Sequence, residues 1–191
     1  MAKTIIDSLY SDYEALISYL DQNAEISHRN TVESYSRKVL LLSSSSYFEH
    51  KIRECLLEFA TERTNSDTIV LSLIRSKAIE RQYHTYFNWE GKNANQFFSL
   101  FGDEFKDQMS KFLKTNNDMN QSIRDFLELG YLRNKLVHLD FASFPLDKSL
   151  DEIYSLYKNA LIFVEIIPSC LRDFGGSASS IHMVDPVPKA E

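Results

Sequence analysis

Apolar residues recur at three- and four-residue steps through Ile5, Ile6, Leu9, Tyr10, Tyr13, Leu16, Ile17 and Leu20. That spacing gathers them on one face of an amphipathic helix of roughly twenty residues. A second helical pattern starts near Thr31 and carries Tyr35, Val39, Leu42, Phe48, Ile52, Leu56 and Phe59 to about Glu62. It contains Ser43–Ser46, residues of modest helix propensity, which mark a bend or a close approach by another helix or a ligand. Asp67 suits the N-cap of a third helix bearing Ile69, Leu73, Ile74 and Ile79. Tyr83 to Gly102 is irregular and aromatic, with a short helix near Asn95–Leu100. A further short helix spans Asp103 to about Lys114. Asp118, with Gln121 three residues on, marks the start of a longer one that ends near Leu139. Phe141–Pro145 separates it from a last helix. Ser149-Leu-Asp-Glu152 is a capping box for that helix, and Pro168 ends or kinks it.

The pattern holds no strand, so the fold class it predicts is all-α, a bundle of four or five main helices. Five Gly and four Pro in 191 residues leave few turns, which agrees with long elements. Composition changes again after Gly175, where Gly, Ser, Ala, Pro and Val dominate. The expected organisation is one domain over 1–174 and a flexible tail over 175–191. Apolar residues make up 43% and charged residues 25%, which excludes a wholly disordered chain. No apolar run has the length of a membrane span, and the N-terminal residues lack the apolar core of a signal peptide. Cys55 and Cys170 lie in apolar helical patterns and read as small buried residues of a reducing compartment. The expected location is the cytoplasm, with no membrane partner.

The net charge of −6 argues against a general coat for nucleic acid. The charge is uneven, however. Arg29, Arg37, Lys38, Lys51 and Arg53 outnumber the acids between 28 and 53, and Arg75, Lys77 and Arg81 stand near His84. A solvated helical surface explains such clusters, and so does a local basic site for a short RNA segment. The aromatic residues Tyr83, Tyr86, Phe87, Trp89, Phe97, Phe98 and Phe101 likewise read as a satellite core in preference to a platform for bases.

Several chemistries are missing. There is no Gly-rich phosphate loop, no His-Glu-x-x-His, no Cys-x-x-Cys and no Gly-x-Ser-x-Gly elbow. The five histidines are scattered, none at helical i, i+4 spacing. No metal and no cofactor is expected.

One segment concentrates polar chemistry at the end of an apolar helix: Leu129-Gly-Tyr-Leu-Arg133-Asn134-Lys135-Leu-Val-His138-Leu-Asp140. Asn134 and His138 are one turn apart and share a face, which continues back through Gly130 and Leu127. Gly130 costs about 1 kcal/mol of helix stability relative to Ala, and a closely packed neighbour, most simply a backbone, would compensate. Arg133 precedes His138 by five residues, about 140° around the helix. A regular helix therefore does not aim both at one atom. Either the helix is irregular there or a second copy supplies the missing group, which predicts a two-fold homodimer with a composite site. A buried polar trio that merely caps the helix end is the structural alternative.

Arg133-Asn-x-Leu-Val-His138 resembles the Arg-x(4–6)-His signature of the HEPN superfamily. Ser45-Ser46-Tyr-Phe-Glu49-His50-Lys-Ile52, Asn95-Gln-Phe-Phe-Ser-Leu-Phe-Gly102 and the helix from Ser149 to Ile167 resemble its RiboL-PSP-HEPN branch. The resemblance covers about Ser43 to Ile167. It implies a helical bundle that dimerises around the motif and a metal-independent endoribonuclease, often a bacterial toxin or antiviral effector with a neutralising or defence-system partner protein. It implies catalytic roles for Arg133, Asn134 and His138. Arg133 would hold phosphate oxygens with its planar fork. His138 would move protons, as an imidazole titrates near neutrality. Asn134 would orient His138 or bond the phosphate. Glu49, His50 and Lys135 are supporting or RNA-binding candidates, Glu49 as a partner for Arg133. Two other functions stay open: a non-catalytic HEPN module that binds nucleotide, RNA or a partner protein, and a helical adaptor with a structural trio.

Overall fold

The computed structural model describes residues 3–173, so the expected tail lies outside the described residues. Among the described residues the chain is helical and strandless, in the order α1 (Ile5–Gln22), α2 (Ile26–Arg63), α3 (Thr68–Ile74), α4 (Asn95–Ser99), α5 (Asp103–Thr115), α6 (Asn117–His138) and α7 (Leu150–Asp173). None of these helices is long and apolar enough to cross a membrane. The central helix is α7, which packs against α6 and α2, while α1 lies on α2. Aromatic rings join the three: Phe48 of α2 stacks on Tyr157 of α7 at 5.3 Å, Phe48 meets Phe126 of α6 at 5.7 Å, and Phe126 meets Phe163 at 5.3 Å.

The helix starts show which local signals prevail. Thr4 and Asp7 form a reciprocal capping box on α1, Asp67 accepts from the Ile69 and Val70 N–H groups, and Ser149 with Glu152 forms the expected box on α7. α6 departs from expectation. Asn116, not Asp118, is its N-cap and accepts from the Met119 N–H at 3.0 Å. Gln121 instead donates to Asp125, at 2.7 Å. Asp118 sits in the first turn, where its charge still favours the helix dipole. α2 begins at Ile26 rather than near Thr31 and runs through the serines without a break. Ser44 and Ser45 are buried, so their small side chains sit in packed helix. Pro168 does not end α7, which continues to Asp173. Val164, Ile167 and Leu171 are buried around it, and that packing outweighs the lost N–H. The third pattern misleads most. Helical character turns into a wider π-type turn over Arg75–Ile79, and Ile69 and Leu73 are 82% and 61% exposed.

Three cations of the basic stretch of α2 are engaged within the chain. Lys38 donates to the carbonyls of Phe141 and Ala142 at 2.7 and 3.0 Å, and Arg37 donates to those of Leu146 and Lys148. These bonds tie down the connection between α6 and α7, and hence the end of α6. Arg29 pairs with Asp21 and Glu33.

The start of α1 is held by a polar cluster shared with α7. Tyr154 and Lys158 of α7 donate to Asp7 Oδ1 at 2.7 and 3.1 Å, and Tyr157 donates to Thr4 at 2.8 Å. Burial opposes the Asp7 charge, but the Thr4 N–H, Tyr154, Thr4 hydroxyl and Lys158 bonds prevail and hold the carboxyl at about 2. Its ordinary value is 3.8, so the stabilisation is complete above that pH and is lost as pH falls through about 2. At about 1.4 kcal/mol per pH unit, the drop is worth about 2 kcal/mol. Asp7→Asn is expected to lose about that much near neutral pH and to flatten the acid limb between about pH 4 and 2. Urea midpoints measured across pH check both.

Candidate active site at the end of the sixth helix

α6 is apolar where it meets α2 and α7: Phe126, Leu127, Leu129 and Leu136 are at most 1% exposed. The remaining face carries Tyr131, Asn134, Lys135 and His138 at steps of three, one and three residues, a single helical stripe. That stripe forms one wall of an open cavity of about 650 Å³. The aromatic segment forms the other wall with Phe87, Asn88, Trp89, Glu90 and Gln96.

Gly130 explains how the two walls meet. A methyl group there would overlap the Trp89 ring carbons Cε3 and Cζ3. The close neighbour is thus an indole of the same chain, not a backbone, and Gly130 no longer argues for a dimer. Trp89 is fixed on its other side by its Nε1–H, which donates to the His84 carbonyl at 3.0 Å. Most of the aromatic cluster is core, as expected: Tyr86, Phe87, Phe97 and Phe98 are buried. Trp89 is half-buried and faces the cavity.

α6 is regular to its last residue, His138, so no local irregularity swings Arg133 toward it. Arg133 donates to Asn134 Oδ1 at 3.2 Å and lies outside the cavity lining. His138 is exposed at the cavity rim. One copy of the chain therefore brings together Asn134, Lys135 and His138, with Arg133 held to Asn134 from the side. The Lys135 ammonium sits 4.6 Å from the centre of the Tyr131 ring.

The supporting residues divide. Glu49 makes no ion pair with Arg133. Both instead act on the Tyr83 hydroxyl, which burial and then Glu49 push well above its usual range while Arg133 offsets part of the rise. His50 points elsewhere and pairs with Glu54 at 3.1 Å on the surface of α2. Cys55 and Cys170 are free thiols, pushed up to about 11 chiefly by burial. Among the described residues no three His, Cys, Asp or Glu side chains gather as a metal-binding group.

The RiboL-PSP-HEPN family model matches residues 7–173, nearly the whole described chain. The chain belongs to the RiboL-PSP-HEPN family. The match extends the resemblance seen in the motifs to α1 and to the end of α7. No curated protein and no solved structure matches it. In this HEPN domain the Arg133–His138 motif occupies the last two turns of α6, between the bundle core and the connection pinned by Arg37 and Lys38. The cavity wall opposite the motif was not legible in the sequence. Trp89 and Glu90 lie in an irregular segment, where no periodicity says which way a side chain points, and Gln96 lies in α4, a helix too short to show a period. The pairing of Asn134 with His138 was legible from spacing, but the face does not continue through Gly130 and Leu127, which are buried; Tyr131 and Lys135 extend it instead.

Proposed function

We propose that this HEPN domain is a metal-independent endoribonuclease that works as a homodimer in the cytoplasm, as a toxin or antiviral defence effector held in check by a partner protein. The observation that carries the reading is the shared cavity wall: Asn134 and His138, one turn apart, face an open volume of about 650 Å³, with Arg133 bonded to Asn134 beside it. RNA carries its own nucleophile. A base takes the proton of the 2′-hydroxyl, whose oxygen attacks the adjacent phosphorus. The bond from phosphorus to the 5′-oxygen breaks, and an acid protonates that oxygen. The products are a 2′,3′-cyclic phosphate and a 5′-hydroxyl. His138 supplies the base, and His138 of a second copy supplies the acid. Arg133 stabilises the charge that develops on the phosphorane oxygens. The 140° between Arg133 and His138 on a regular helix supports a composite site, with Arg133 serving the histidine of the other copy.

The position of Arg133 outside the cavity lining favours a second reading, a non-catalytic HEPN module that binds nucleotide, RNA or a partner protein. One experiment separates the two. The protein is incubated with total RNA in EDTA beside His138→Ala, and then with an oligonucleotide that is all-deoxy except for one ribose. The expected result is cleavage in EDTA, lost in the variant, with a single cut 3′ of the ribose and a cyclic phosphate visible by mass. A cut in the all-deoxy strand, or a 3′-hydroxyl product, would overturn the 2′-hydroxyl mechanism. Activity that persists in His138→Ala would move the site elsewhere.

A further inference from the structure

We infer that the cavity beside His138 is a base-binding subsite: an unpaired guanine next to the scissile phosphate stacks on Trp89 and is read by the Glu90 carboxylate. This rests on the ribonuclease reading above and names the substrate feature that the same site selects.

Three observations carry it. First, the volume of about 650 Å³ falls within the roughly 300–1,000 Å³ of small-ligand sites. The mouth is open, which suits one base of a strand whose backbone continues past His138. Second, Trp89 is a fixed apolar surface. Its one donor is spent on the His84 carbonyl, and its ring is seated against Gly130. What remains for the cavity is carbon and π surface, the chemistry that stacks unpaired bases. Tyr131 does not compete, because Lys135 sits over its ring. Third, Glu90 is exposed, lines the cavity, and its carboxylate has no hydrogen-bond or ion-pair partner among the described residues. Its backbone N–H donates to Asn88 Oδ1 at 3.2 Å, which sets the turn that carries it. A carboxylate repels phosphate, so near RNA its favourable contacts are donors, a ribose hydroxyl or the N–H groups of a base edge, and beside a stacked base the edge lies within reach. Guanine offers two such donors side by side, matched to the two carboxylate oxygens; adenine and cytosine offer a single amino group and uracil one imino N–H. The side-chain amides of Asn88 and Gln96 stand on the same wall.

The test has an activity arm and a binding arm. In the first, single-ribose oligonucleotides carry guanine, adenine, uracil or no base at the nucleotide flanking the cut. Wild-type protein should cut the guanine substrate fastest and the abasic one roughly 5- to 150-fold more slowly, the size of a lost base stack. Glu90→Gln, a change at an exposed position, should lower the guanine rate about tenfold, as expected for a lost charged hydrogen bond, and should not lower the abasic rate, since it removes a charge that repels phosphate. In the second arm, Trp89 is the sole tryptophan, so its fluorescence reports the cavity directly. Guanosine monophosphate should quench it saturably in His138→Ala protein, more strongly than uridine monophosphate, and Glu90→Gln should remove the difference. Equal cutting of the abasic substrate, or quenching without base preference, overturns the subsite. Quenching with guanosine preference but no RNA cleavage overturns the ribonuclease reading and leaves the base site standing.

Discussion

Arg133→Ala and His138→Ala are each expected to lower RNA cleavage by about 10²–10³-fold or more, and the double variant to cost little beyond either single change. His138 supplies a proton-transfer group, and Arg133 a charge for the phosphorane. The two act in one step, so their losses do not add. Both side chains lie outside the buried core, at the polar end of α6, so the variants should keep the wild-type melting temperature. Mixing decides whether the two copies share a site. Base and acid come from His138 of both copies, so one His138→Ala protomer should silence its dimer. Wild-type and His138→Ala protomers, refolded together in equal amounts, should keep roughly a quarter of wild-type activity, the share of dimers with two wild-type copies. About half of wild-type activity, as for copies that act alone, would reject a site drawn from both copies. A strict monomer by light scattering at micromolar concentration, with RNA present as well, would remove the composite site altogether.

Gly130→Ala should destabilise the domain, although Ala is the better helix former. Its methyl group would occupy the space of Trp89 Cε3 and Cζ3. The indole has little freedom to give way, because Nε1 is bonded to His84 and the ring meets Phe87 at 5.2 Å and Phe126 at 5.7 Å. Overpacking of this kind costs about 1–3 kcal/mol, several degrees of melting temperature in a chain of this size. The displaced ring would also reshape the cavity wall, so cleavage should fall with stability. The sign should reverse in a Trp89→Ala background. There the methyl group meets no ring, and Gly130→Ala should stabilise by up to about 1 kcal/mol through helix propensity. Thermal or urea midpoints of the four proteins complete the cycle. A destabilisation by Gly130→Ala that persists without the indole would mean that Trp89 is not what the glycine accommodates.

Helix positions and the polar motif were legible in the chain because both rest on local rules. The spacing of Ile5 to Leu20, the Ser149–Glu152 box and the pairing of Asn134 with His138 depend only on 3.6 residues per turn and on orphan N–H groups near a side-chain oxygen. Local rules also reach their limit where packing outbids them. Pro168 stays inside α7 because the residues around it are buried, and Ile69 and Leu73 are exposed because nothing among the described residues packs over them. Asn116 displaced Asp118 as the cap by two residues, a choice between equally suitable side chains that only the entry path of the chain resolves. The cavity itself belongs to the tertiary structure. Gly130 and Trp89 are forty-one residues apart, and no periodicity connects an irregular segment to a helix face. Their contact sets which wall faces Asn134 and His138. The charges near Glu49 were visible in the sequence, yet their partners were not, since an ion pair depends on distances across the bundle. The sequence alone therefore determined that Arg133 and His138 diverge on one helix, by the arithmetic of its turns. Only the folded chain decided that His138 opens onto Trp89 and Glu90 while Arg133 turns aside to Asn134, because that depends on which helix faces the core consumes and which it leaves to solvent.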